Sequence, residues 1–159
     1  MEMTAGRSGR IGAPAQGRAL VLAIIGKADR YLAPLVDLAV RLWISSVFVA
    51  SGLTKIQSLD TTLALFENEY SVPLLPPALA AYLGIAAELG LPVLLVLWLG
   101  GRFAAAALFV FNIVAVISYP DLSEAGLASH RLWGLLLLVT LAHGPGRLSL
   151  DHLIRRRYA

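Results

Sequence analysis

Glu88 stands in the middle of an apolar run, Ala78 to Leu99, where a carboxylate without a partner is costly. One acidic residue at the centre of a membrane-spanning helix costs ~2.5–3.5 kcal/mol on insertion scales. Such a residue normally faces the protein interior, acquires a partner and marks a working site. Pro92 follows four residues later. Its missing amide releases the backbone carbonyl of Glu88, which puts a carboxylate and a free carbonyl at one depth. Other polar groups fall nearby. Counted from the outer ends of their spans at ~1.5 Å per residue, Glu88 is ~15 Å deep, Asn112 ~10 Å and Arg131 ~12 Å. His130 precedes Arg131, and Ser51 and Lys55 close the outer end of the first span.

Depth does not say which way each helix faces, so three readings stay open. In the first, Glu88 and Arg131 form a buried structural pair, with Asn112 bonding across helices. In the second, a cavity receives a small polar headgroup such as a quinone. Glu88 is then the candidate catalytic group that exchanges a proton, and Asn112, His130 or Arg131 bonds the quinone oxygen, with Ser51 and Lys55 completing the ligand-binding set. The third is a path for protons or a solute. No metal is expected: His130 and His143 lie ~20 Å apart on one helix, and the chain has no cysteine to supply a thiolate, a cluster ligand or a disulfide. No haem, flavin, Fe–S or copper signature is present, so a bound quinone needs a partner subunit as its source of electrons.

These residues must be positioned by helices. With 58% hydrophobic and 14% charged residues and a mean hydropathy of +0.75, the 159-residue chain is too apolar for a soluble domain. Four continuous apolar runs approach the ~20 residues that cross a ~30 Å hydrocarbon core. They are Pro34–Leu53, Ala78–Leu99, Phe103–Tyr119 and Ser123–His143. The last starts at Ser123, a helix cap with Glu124 in the first turn. Continuous runs exclude the alternation of a barrel. The expected fold is all-α: an integral membrane four-helix bundle over residues 34–143, with a partly disordered or interfacial tail at 1–33 and a basic tail at 144–159.

Ten of the 13 basic residues fall on one side: Arg7, Arg10, Arg18, Lys27, Arg30, Arg102, Arg147 and Arg155 to Arg157. Both termini are therefore expected in the cytoplasm. The basic tail suits anionic lipid headgroups better than nucleic acid, for which no recognition motif exists. The run Ala19–Ile25 lacks a cleavage site after it, so the N-terminal segment reads as retained, disordered to about Gly17. Asp37 and Arg41 have the spacing of an ion pair, although Arg41 is equally able to reach lipid phosphate. Trp43, Tyr82, Trp98, Tyr119 and Trp133 read as an aromatic belt. Ala104–Ala107, Gly84, Ala87 and Gly90 offer small surfaces for helix contact. The outer segment Ile56–Pro77, rich in aromatics and prolines, reads as a loop that covers the bundle's mouth, docks a partner or simply connects. Gly144-Pro145 stops the last helix, and Ser149 then caps a short amphipathic helix.

The run Arg41-Leu42-Trp43, Phe48, Ser51-Gly52-Leu53 and Lys55, then Glu88, Leu99-Gly100 and Arg102, then GPGRLSLD, resembles the DoxX family of small four-helix membrane proteins. The resemblance covers roughly Arg41 to Asp151, with Ser45 where similar proteins often carry glycine. It implies a multi-pass protein of the bacterial inner membrane, linked to respiratory or redox chemistry and assembling with a redox-enzyme partner. A membrane anchor without a small-molecule site and a small transporter are the alternatives. Self-association is compatible with the chain and is not specified by it.

Overall fold

The computed structural model describes residues 13–144, with side chains from Gly17 onward. Among the described residues the chain is helical throughout: α1 (Ala13–Lys27), a π-helical turn (Ala28–Leu32), α2 (Ala33–Gln57), α3 (Leu59–Asn68), α4 (Pro77–Leu97), α5 (Gly101–Ser118) and α6 (Glu124–His143). Four stretches are long and apolar enough to span a membrane: Gly17–Gln57, Pro77–Leu97, Gly101–Ser118 and Glu124–His143. Within the first, α2 alone rises ~38 Å, more than a hydrocarbon core requires.

The chain divides into two units at Leu35 and Val36. The first contains α1, which begins at Ala13, ahead of the Gly17 limit expected for a disordered tail. Its Leu20, Val21, Leu22, Ile24 and Ile25 are all exposed. Apolar residues on every side of a helix suit an apolar surrounding rather than one buried stripe.

The second unit is the bundle. Its core joins Ile44 and Phe48 of α2, Leu95 and Trp98 at the end of α4, Ala104, Ala105 and Leu108 of α5, and Leu137 of α6. The alanines let α5 sit inside the bundle, as small residues do where backbones approach closely. Gly52 serves the same purpose on α2, because a Cβ there would lie 2.8 Å from Leu89 Cδ2. Gly90, by contrast, faces open space. Pro77 starts α4 at the first helical position, where its missing amide costs nothing.

The segment read as a loop carries α3. Leu59, Leu63 and Phe66 recur at helical spacing, and Phe66 packs with Leu63 and Tyr70 against Ala80 and Ala81 of α4. Thr62 Oγ1 donates to the Lys55 carbonyl (3.1 Å), capping α2. The Ser71 amide then donates to the Ser118 carbonyl (2.8 Å), which ties the segment to the end of α5. This stretch therefore covers one end of the bundle.

The helix boundaries follow their sequence signals. Ser123 Oγ accepts from the Gly126 amide (3.1 Å) at the start of α6, and Gly144, at φ +73°, ends it. Residues from Pro145 onward, including GPGRLSLD beyond its first glycine and the helix expected after Ser149, lie outside the described residues. Three of the five belt aromatics are corrected. Trp98 is fully buried beside Gly101, Trp133 packs edge-on to Phe48, and Tyr119 stacks on Tyr70. Trp43 and Tyr82 are exposed.

Candidate functional site

Polar side chains of α2 tie it to α4 along one antiparallel seam. Arg41 reaches the Val96 carbonyl (3.3 Å) and Ser45 Oγ the Pro92 carbonyl (3.3 Å). Ser51 Oγ donates to Glu88 Oε1 (3.0 Å). Lys55 Nζ completes the row, 2.8 Å from both oxygens of Glu88 and 2.8 Å from Ser51 Oγ. Glu88 is 5% exposed. Its carboxylate is thus fully engaged by one ammonium and one hydroxyl.

The cation on Glu88 is Lys55 and not Arg131, for two geometric reasons. Helical side chains lean toward the N-terminus of their own helix, so Lys55 swings back along α2 toward Ser51 and into the bundle. On α6 the buried line runs through Gly134, Leu137 and Thr140. Arg131 continues that spacing of three, but the ~60° drift at each step carries it ~120° away from Leu137 at the centre of the line, and it is exposed. It makes no ion pair or hydrogen bond with any described residue.

The Glu88 cluster lines a cavity of about 430 Å³, within the size range of small-molecule sites. Its polar wall comprises Ser51, Lys55, Glu88, Ser118, Tyr119 and His130, and Phe66, Tyr70 and Phe111 supply aromatic surface. Four of the expected site residues, Ser51, Lys55, Glu88 and His130, therefore meet at one cavity. Asn112 stands behind His130, buried. Its Nδ2 donates to the His130 carbonyl (2.9 Å), and its Oδ1 lies 2.7 Å from His130 Nδ1. A backbone carbonyl only accepts, so the amide orientation is fixed, and Oδ1 in turn requires a proton on Nδ1. Asn112 thereby sets the tautomer of His130 and leaves Nε2 as the acceptor in the neutral ring.

Two cavity residues, Ser118 and Tyr70, were not among the site residues expected from the sequence. Ser118 Oγ is buried and has no hydrogen-bond partner among the described residues, an uncommon condition for a buried hydroxyl. Tyr70 stacks between Phe66 (4.7 Å) and Tyr119 (5.0 Å). Burial, reinforced by Tyr119 and the carboxylates of Glu88 and Glu69, raises the Tyr70 phenol above its ordinary value. It is therefore a neutral donor at physiological pH. A serine closing an apolar helix and a tyrosine in a proline-rich segment carry no spacing signal, and only the fold of α3 brings them together.

Chemically, the cavity offers apolar walls, a proton-bearing pair, an unused hydroxyl and a phenol. Among the described residues no three His, Asp or Glu side chains gather as metal ligands.

A bundle of helices long and apolar enough to cross a membrane, with a charged pair turned inward, defines a multi-pass membrane protein. The DoxX family model matches residues 36–120, more than half of the 159 residues. The chain belongs to the DoxX family. The match contains Ser51, Lys55, Glu88 and Asn112 and ends before His130, Arg131 and GPGRLSLD, although the sequence resemblance extended to Asp151. Comparison with curated proteins and with solved structures found no match.

Proposed function

We propose that the protein is the membrane subunit of a redox assembly and that its cavity receives the ring of a quinone. The reading includes a bacterial inner-membrane location with both termini in the cytoplasm. The observation that carries it is the Lys55–Glu88 pair on the wall of an apolar cavity that also holds the unpartnered Ser118 hydroxyl. A quinone ring needs flat apolar walls and hydrogen-bond donors for its two carbonyl oxygens. The Ser118 hydroxyl and the Tyr70 phenol are donors of that kind.

Reduction of a quinone to its quinol takes two electrons and two protons. A partner enzyme supplies the electrons, since the chain has no redox group of its own in evidence. Glu88, when protonated, passes a proton to the nearer ring oxygen and is recharged through the polar wall. Lys55 holds the carboxylate in place and stabilises the charge left on it. His130, fixed by Asn112, offers Nε2 to the quinol hydroxyl during the reverse step.

The test is purification in mild detergent, solvent extraction and identification of lipid-soluble molecules, followed by cross-linking to an azidoquinone probe. Labelling is expected on peptides of α4 and α5, with loss of at least about tenfold in Ser118→Leu, the scale of one or two lost hydrogen bonds. In Glu88→Gln, labelling is expected to persist while quinone-linked turnover with the partner falls. Absence of both co-purifying quinone and saturable labelling would reject the site and favour an anchor.

A further inference from the structure

We propose that α5 and α6 form a second binding site, for one anionic phospholipid, with its phosphate on Arg131. A depression of about 350 Å³ lies between these helices and shares only His130 with the inner cavity. Its walls include Ile113, Ile117, Leu135 and Leu138, all exposed, on two helices long and apolar enough to span a membrane. In a bilayer these residues meet acyl chains.

Arg131 is the cation on this surface. It stands ~10 Å along α6 from Glu124. Its stem leans toward that end, which carries the guanidinium toward the interface where phosphates lie. A guanidinium grips phosphate with two parallel hydrogen bonds. No acidic residue lines the depression, so the ammonium of a zwitterionic headgroup finds no partner there and a net-negative headgroup is favoured.

The same charges argue against a second copy of the chain on this face. Of the acids in the spans of the bundle, Asp37 and Glu88 are engaged, with Arg41 and Lys55 respectively, and Glu124 stands at the first residue of α6. A neighbouring copy therefore brings no carboxylate to the depth of the Arg131 backbone, and Glu124, at the interfacial end of α6, is the one acid of those spans left to meet the guanidinium. The inference does not depend on what occupies the inner cavity.

Native mass spectrometry of the full chain, released from detergent after titration with phosphatidylglycerol or phosphatidylcholine, tests it. The wild type is expected to retain one phosphatidylglycerol more than Arg131→Gln, with an apparent affinity about tenfold higher, equivalent to ~1.4 kcal/mol. Leu135→Trp keeps the guanidinium and fills the depression, and it should lose the same lipid. If Arg131→Gln does not fold, this second variant decides the matter. Equal phosphatidylglycerol retention by wild type and variants overturns the site, as does equal retention of phosphatidylcholine by the wild type. Because the chain has no cysteine, Ile117→Cys provides a unique handle. Efficient disulfide cross-linking between copies through it would overturn the proposal in favour of self-association.

Discussion

Glu88→Leu and Lys55→Met are each expected to destabilise the bundle by up to ~3–5 kcal/mol, and the double variant to recover most of that loss. Removing one member of a buried pair strands the other, whereas replacing both with apolar groups of similar volume is often neutral or stabilising. The two single variants are not equivalent. Lys55→Met strands a carboxylate that is 6% exposed, and Glu88→Leu strands an ammonium that is 20% exposed. The lysine also has a flexible stem that can carry its charge toward water. Lys55→Met should therefore cost more than Glu88→Leu. Unfolding in mixed micelles of increasing sodium dodecyl sulfate, followed by tryptophan fluorescence, measures the order. The double variant separates stability from function, because it keeps a folded bundle with no proton-bearing pair. Restored stability with lost quinone-linked turnover means that the pair is retained for chemistry. Restored stability with unchanged turnover means that the pair is structural only.

The four spans were legible because hydropathy and length report burial in lipid directly, and Ser123 and Gly144 ended α6 as their types predict. The working pair was half legible. Glu88 declared itself by its cost in an apolar run, but its partner depended on helix azimuth and side-chain lean, which depth does not encode. Arg131 and Lys55 are both cations in reach by depth alone. Only the face of α6 that packs, through Gly134 and Leu137, removes Arg131 from the interior. Helix α3 was hidden by its surroundings: three apolar residues at helical spacing were outweighed by Asn68, the glutamates and the prolines that follow. Trp98 misled for a related reason. An aromatic at a span end is usually interfacial, but this one takes a left-handed turn conformation at φ +51°, which folds its ring back onto Arg41.

That ring is central to the second large effect. Arg41→Ala is expected to cost ~3–5 kcal/mol, comparable with breaking the Lys55–Glu88 pair. Arg41 is fully buried at the opposite end of the α2–α4 seam from the cavity. Its Nη2 lies 3.0 Å from Asp37 Oδ2, and its Cζ is 4.9 Å from the centre of the Trp98 ring. Nη1 donates to the Val96 carbonyl, one of the last carbonyls of α4 that lack a partner within the helix. One guanidinium thus neutralises an acid, stacks on an indole and caps a helix end, where a cation is also favoured by the helix dipole. Lysine cannot replace it, since an ammonium lacks the planar fork and stacks less well. Arg41→Lys should accordingly lose about half as much as Arg41→Ala. A double-mutant cycle with Trp98→Leu should give a coupling of ~1–2 kcal/mol, the range for a desolvated cation over an indole. The sequence equally allowed Arg41 to reach lipid phosphate. In that case Arg41→Ala costs under ~1 kcal/mol, as exposed ion pairs do, and shows no coupling to Trp98. A measured cost of several kcal/mol with coupling establishes Arg41 as the internal clasp that holds α2 against the end of α4 and fixes the register that brings Lys55 to Glu88.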